Sequence, residues 1–477
     1  MGKRIGLLLV AAILITTGLK AQQSDGVKEI TLEQAIQMAL ANNPQINRAL
    51  LSIDDADELV KIAYSEVYPD ISSTINYTRN VELPVQFIPE NVFDPAGDPN
   101  VLVPVSFGTD NNWQGGFTVT QNLFKGEAIV ALRSSAVFRK VQEESYRATS
   151  QQVITQTRIA YYAVLAAQEQ LRLANAQIRR LETNLKENQA RAKAGIVDDY
   201  AVLRLQVQLS NQKPQQIEAK YGVDEAYRNL NVAMGVPISF EFAVIGNLNK
   251  FQILSEIADE SSNSHLKKVD QMNPYTFNTG MIDSAALTEN RGDVRVAEAS
   301  LRLQDKQIRA EKSRFLPTLT ASYNLQWSAA EAGSPTFFEN AKRFQTIGVN
   351  LRMPLFQGFS RMANLDRARI QYKDVEEQKR MAILMAQNEV ASAGEELDKI
   401  FETASARQQA LEQANTGYDR AQKRLDSGLG SQLELTEAEI QVREAEVNYA
   451  IMVFNYLTAK ANYDLATGMV PFVDTSN

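Results

Sequence analysis

Two carboxylates, Glu434 and Glu437, stand six and nine positions beyond Gly428. Three apart on a helix, their side chains can share one face, and neighbouring carboxylates attract cations, multivalent ones most strongly. A second reading makes Glu434 a helix cap. Ser431 and Glu434 have the spacing of a capping box, which stabilises a helix start by about 0.5–2 kcal/mol, and Glu437 is not needed for it. Other chemistry is scarce: the chain has no cysteine and one histidine, His265, set in a polar stretch where a solvated surface residue is the plain reading. Gly428-Leu429-Gly430 follows a helical pattern and reads as a capped turn, not as a phosphate-cradling loop after a strand. Nothing here assembles a catalytic, metal or cofactor site, so the expected protein is not an enzyme and its function rests on shape and charge.

Gly428 is the bend of a long helical hairpin over residues 359–468. Before it, Ala404, Leu411, Ala414, Tyr418, Ala421 and Leu425 recur at heptad spacing, broken by Arg407. After it, Leu435, Ala438, Val442, Ala445, Tyr449, Met452, Tyr456, Ala459, Tyr463 and Ala466 continue at steps of three and four. A seam of Ala and Tyr lets helices approach closely and spread sideways into an array, unlike a Leu/Ile zipper. Packing is the expected role of both stripes, and the glycine supplies a left-handed helix end.

The hairpin is half of a duplication. The run from Gly116 through Leu123-Phe124-Lys125-Gly126 answers the run from Gly348 through Leu355-Phe356-Gln357-Gly358 at an offset of 232. Gly195 answers Gly428, and Gly235 answers Gly468, at 233. Upstream, Tyr68-Pro69 answers Leu316-Pro317 at 248, so the first copy holds about 16 extra residues, the difference of the offsets 248 and 232. They fall in 81–112, where five prolines predict an irregular loop. Each copy then reads helix, strand, loop, strand, long helix, tip, helix. The first copy has helices over 31–67, 127–194 and 198–234 and strands over 70–80 and 114–123. The second has helices over 284–315, 359–427 and 431–467 and strands over 318–328 and 345–355. Pro44 predicts a kink in the first helix.

In the strand 318–328, Leu319, Ala321, Tyr323, Leu325 and Trp327 alternate with polar residues, giving one lipid-compatible and one polar face, as in a membrane barrel. Trp113 and Trp327 suit an interfacial belt, with an ordinary loop contact equally open for Trp113. Four strands cannot close a barrel in lipid, where each unpaired amide costs several kcal/mol, so chains must pool strands, eight in a dimer or twelve in a trimer.

Residues 1–21, with Lys3, Arg4, an apolar core from Ile5 to Ile15 and a small residue, Ala21, ahead of Gln22, predict a cleavable secretory signal. No later apolar run reaches the roughly 18 residues of a membrane helix. Without cysteine there are no disulfides and no lipid-accepting residue. Removing Lys3, Arg4 and Lys20 takes the formal charge from -8 to about -11, against a nucleic-acid partner. The expected division is 1–21 signal, 22–235 first repeat, 236–283 an insertion forming an equatorial belt, 284–468 second repeat and 469–477 tail.

Thr31-Leu-Glu-Gln-Ala35, Asn43-Pro44, the Tyr68-Pro69 and Leu316-Pro317 strand starts, the strand-to-helix turns at Phe124, Gly126, Phe356 and Gly358, and the tips at Gly195 and Gly428, in this order and duplicated, resemble the TolC family of outer-membrane efflux proteins over nearly the whole mature length. The resemblance implies a mainly α fold with a β-barrel part. A homotrimer would pool twelve strands, four per chain, into an outer-membrane barrel continued by a coiled-coil α-barrel in the periplasm. It also implies a periplasmic adaptor protein and, through it, an inner-membrane pump of RND or ABC type, in a tripartite efflux or type I secretion system, with the cargo left open. Gly195, Ile196, Gly428 and Leu429 become adaptor-docking tips, and Glu434 and Glu437 fall where the family's closed entrance is acidic. Where the second tip has Glu434 the first has Ala201, so the acid ring is confined to one repeat. The chain lacks the lipidated cysteine of many relatives and is expected to be unlipidated. A non-conducting coiled-coil tether is the alternative to a duct, and the paired amphipathic strands, useless to a tether, favour the duct.

Overall fold

The computed structural model describes residues 28–246, 248, 284–336 and 339–470. The expected signal segment, most of the 236–283 insertion with His265, and the tail beyond 470 lie outside the described residues.

The first repeat runs α1 (Leu32–Asn42), α2 (Pro44–Ser65), β2 (Asp70–Arg79), β5 (Asn111–Phe124), α3 (Gly126–Lys193) and α4 (Asp199–Met234). The second runs α5 (Ser284–Asn290), α6 (Gly292–Ser313), β7 (Thr318–Glu331), β8 (Lys342–Arg352), α7 (Ser360–Asp426) and α8 (Gln432–Thr467). The 68 residues of α3 span roughly 100 Å at about 1.5 Å per residue. Its antiparallel partner α4 has 36 residues, and α1 with α2 continues past the end of α4.

Two expectations are corrected at the helix starts. Pro44 does not kink one helix but begins a new one, because Asn43 is extended (φ -64°, ψ 127°) and its side chain accepts the Gln45 N–H at 2.8 Å. The helix expected over 284–315 is likewise split at Arg291. Since 43 plus 248 is 291, the break is part of the repeat. In each copy a left-handed glycine closes the junction: a Cβ on Gly235 would lie 2.6 Å from Asn43 Cα, and one on Gly468 would lie 2.7 Å from Arg291 N. Asn43 Nδ2 donates to Ala233 O in the first junction. In the second, buried Gln151 of α3 accepts the Gly292 N–H and donates to Asn290 O and Gly468 O.

A third correction concerns residues 81–112. They form an antiparallel ribbon, β3 (Val85–Pro89) with β4 (Leu102–Ser106). A two-strand ribbon has only edge strands, so Pro89 and Pro104 need give no inward hydrogen bond.

Strands β2, β5, β7 and β8 form one antiparallel sheet in the order β2-β5-β7-β8, with β2 and β8 at its edges. Its register lines Ile71, Val119, Tyr323 and Ile347 in one row and Ser72, Thr118, Asn324 and Thr346 in the next. Thr118 Oγ1 donates to Asn324 Oδ1 at 3.0 Å within the polar row. Trp113 lies in β5, stacked on Tyr77 with ring centroids 4.2 Å apart, and Trp327 lies in β7.

The largest core cluster surrounds the junction of α3, α4, α7 and α8, where Val164, Leu230, Met234, Val453 and Tyr456 are buried. There Tyr161 ties in a two-strand parallel pair, β1 (Glu29–Ile30) with β6 (Ala243–Val244). Its hydroxyl lies 3.0 Å from Ile30 O and 2.6 Å from Ile245 O, and burial pushes its pKa up to about 12. No described helix is long and apolar enough to cross a membrane.

Candidate functional site at the tips and strand ends

At the second tip, Gly428 is left-handed (φ 73°) and the N–H groups of Leu429 and Gly430 both donate to Arg424 O at 2.9 Å. The carbonyls left over at the end of α7 are thereby satisfied. A Cβ on Gly428 would meet nothing within 4 Å, and Leu429 is 75% exposed. The first tip repeats the geometry: Gly195 has φ 70°, Ile196 N–H donates to Arg191 O at 2.9 Å, and Ile196 is 72% exposed. Neither apolar side chain packs into its own turn. Asp198 is the N-cap of α4 by position and backbone, but its side chain makes no capping hydrogen bond.

Ser431 caps α8, its hydroxyl accepting the Glu434 N–H at 3.2 Å. The reciprocal half of the expected capping box is missing. The Glu434 carboxylate instead approaches Arg424 Nε across the turn at 3.4 Å. Glu434 and Glu437 are both exposed, one helical step apart on the start of α8.

Deeper in the same hairpin lies a residue the sequence reading missed. Glu439 is 2% exposed in the seam between α8 and α3. One carboxylate oxygen accepts from Asn184 Nδ2 at 2.6 Å, and the other has no hydrogen-bond partner. Burial raises its pKa, against the Asn184 hydrogen bond and the Arg180 charge, which lower it. The sequence signal was available: Glu439 sits four after Leu435 and three before Val442, inside the apolar stripe.

At the other end of the helices, the two strand-to-helix turns match in sequence but not in physical cause. Gly126 is the first residue of α3, and a Cβ there would lie 3.0 Å from Ser313 Cβ, so glycine permits close packing on α6. Gly358 is left-handed (φ 57°) with open space around it, and Phe359 after it is the one non-glycine residue of positive φ among the described residues. Phe124 pairs with Leu319 past a register shift in β5, while Phe356 is exposed and meets Phe359 edge-on.

The described residues contain no cluster of three or more acidic, histidine or cysteine side chains able to hold a metal.

The family model described as "Outer membrane efflux protein" matches residues 35–236 and 284–469, passing over most of the 236–283 insertion. Among curated relatives, the alkaline protease secretion protein AprF of Pseudomonas aeruginosa is 22% identical, aligned over 92% of this chain and 84% of its own. The outer membrane protein TolC of Vibrio cholerae is 22% identical over 93% and 92%. Among solved structures, the Campylobacter jejuni CmeC outer membrane channel superposes with a TM-score of 0.70 at 19% identity, covering 92% of this chain and 85% of that one. The open state of the Neisseria gonorrhoeae MtrE channel gives 0.69 at 16%, covering 92% and 88%. The overall fold is thus shared with solved outer membrane channels, and the chain belongs to the outer membrane efflux protein family.

Proposed function

We propose that the protein is the outer-membrane duct of a tripartite efflux or type I secretion system, a passive conduit from periplasm to exterior gated at its helical tips. The carrying observation is the four-strand sheet with alternating apolar and polar rows and two unpaired edges, β2 and β8. In lipid those edges must pair with further copies. A homotrimer, closing twelve strands and gathering three copies of each tip, is the stoichiometry we infer. The exposed Ile196 and Leu429, held on glycine turns that leave them unpacked, support docking of a periplasmic adaptor, which would link the duct to an inner-membrane pump of RND or ABC type. Glu434 and Glu437, exposed beside the second tip, support an acidic constriction there. A coiled-coil tether has no use for an amphipathic sheet.

The test is purification from outer membranes in detergent, followed by heat-dependent migration in gel electrophoresis and recording in planar bilayers. The expected result is a heat-modifiable oligomer with discrete conductance steps. A monodisperse soluble monomer in detergent-free buffer would overturn the reading.

A further inference from the structure

Where the sheet gives way to the helices, a cavity of about 350 Å³ opens between the start of α3, the end of α6 and the start of α7. Four cationic side chains line it, Lys125, Arg314, Arg352 and Arg361, against one carboxylate, Glu127. Two of the four are engaged with acids: Lys125 with Glu66 at 2.6 Å, and Arg314 with Glu127 at 2.9 Å and Glu311 at 3.2 Å. The other two have no carboxylate within ion-pair distance among the described residues. Arg361 lies over the Phe315 ring at 5.0 Å and donates to Leu355 O at 3.3 Å, a posture that fixes the guanidinium without neutralising it. Arg352 ends β8 opposite Thr318.

The backbone adds to this field. Both helices that start at the cavity, α3 behind Lys125 and α7 behind Phe359, lack a side-chain cap and turn a positive dipole end to its wall, although the Ser360 N–H of α7 is already met by Gln357 O at 3.2 Å. The charge is not a requirement of the repeated fold. By the offsets of 248 and 232, Arg314, Arg352 and Arg361 answer Glu66, Thr120 and Ile129 of the first copy, none of them basic. The second junction carries a positive cluster that its duplicate does without.

We propose that this cavity binds the phosphate of a phospholipid headgroup, preferring anionic lipids, in the leaflet at the helix end of the sheet. The proposal rests on reading the sheet as part of a membrane barrel. A phosphate could also come from solution. The lipid is favoured because the turn between Pro354 and Gln357, which both line the cavity, carries Leu355 and Phe356, 83% and 72% exposed, a surface suited to acyl chains beside a cationic pocket.

Native mass spectrometry of the oligomer released from nanodiscs of mixed phosphatidylcholine and phosphatidylglycerol tests this. Wild type should retain phosphatidylglycerol about tenfold over phosphatidylcholine, as two uncompensated cations suggest. The Arg352→Gln/Arg361→Gln variant should lose the preference, and Arg352→Lys/Arg361→Lys should keep most of it. Added inorganic phosphate should not displace the lipid. No preference in wild type, or one that survives the glutamine pair, overturns the site. Displacement by phosphate alone, abolished by the same glutamines, would make the site one for soluble phosphate and overturn the lipid assignment. Lost preference in a glutamine variant that remains heat-modifiable and conducting supports the site. A wild-type chain that enters neither nanodiscs nor planar bilayers overturns both this proposal and the duct.

Discussion

Glu144 of α3 and Arg295 of α6 join the two repeats through a bidentate contact, Arg295 Nη2 donating to Oε1 at 2.6 Å and Nε to Oε2, with Lys140 Nζ 3.0 Å away. Burial alone would raise the Glu144 carboxyl, but the hydrogen bonds from Arg295 and Lys140 outweigh it and hold the pKa below 4.5. A depressed carboxylate gives stability that is present above its unfolded value and lost as pH falls through the folded one. Glu144→Ala should therefore destabilise at neutral pH by about 2–4 kcal/mol, toward the low end for a buried pair because Arg295 and Lys140 keep solvent access. The deficit should shrink below pH 4, as read by thermal unfolding across pH.

Glu439 has the opposite sign. Its pKa is raised, so its charged form costs stability, and acidification relieves that cost from the folded pKa downward. The groups facing it are Asn184 and Arg180 of α3 and, across the hairpin, Tyr418 of α7, whose own pKa is raised by burial first and by Glu439 second. Glu439→Gln keeps an acceptor for Asn184 and removes the buried charge. It should stabilise the protein by about 1–2 kcal/mol at pH 7 and match wild type near pH 4. A variant less stable than wild type at pH 7 would show that the carboxylate contributes net stability where it stands.

At the scale of elements, the long helices were legible almost to the residue. The pattern predicted 127–194 and 359–427, against Gly126–Lys193 and Ser360–Asp426, because a heptad seam over many turns over-determines a helix and glycine marks its end. The strands were legible by their alternation. At Asn43 the position was legible from Pro44 but a kink was expected where a new helix begins, and the break at Arg291 was not legible, because Arg291 carries no local break signal. It is set by tertiary contacts: the Gln151 clamp, and its own guanidinium, which bonds Ala466 O and pairs with Asp293 and Glu389. Proline counting failed over 81–112, since it does not see that a two-strand ribbon spares its outer N–H groups. Two glycines of similar φ separate conformation from packing. Gly428→Ala should cost about 1 kcal/mol, the left-handed penalty alone. Gly468→Ala should cost clearly more, because its Cβ would sit 2.5 Å from Asn290 C. Equal melting shifts for the two would mean that the junction relaxes freely. Gly428→Trp, whose bulk would project beside Leu429 into open space, should leave the oligomer and its membrane insertion intact while export and crosslinking to the adaptor fail. Normal crosslinking with normal export would remove the tips from the docking surface.

At the scale of the whole molecule the acid pair acquires its meaning. In one chain Glu434 is an exposed residue beside Arg424, its cap half made, and Glu437 is an exposed residue one step on. Nothing local distinguishes such a pair from ordinary surface charge, so only its position beside the tip, where the resembling family's closed entrance is acidic, pointed to it. Three-fold assembly would gather six carboxylates around one axis. At about 10 Å in bulk water each pair repels by only roughly 0.4 kcal/mol, but a narrow constriction of lower effective dielectric multiplies the sum several-fold. Such a ring should attract cations, bind multivalent ones and spread when its charge is uncompensated, and Arg424 would screen Glu434 more than Glu437. Replacing both by glutamine leaves the Ser431 cap in place, because that bond uses the Glu434 backbone N–H. In single-channel recordings the double variant should therefore remain an intact oligomer, lose much of its cation preference and resist block by trivalent cations, with Glu437→Gln alone having the larger effect. Unchanged selectivity and block would assign both residues to surface charge and move the constriction elsewhere along the tunnel.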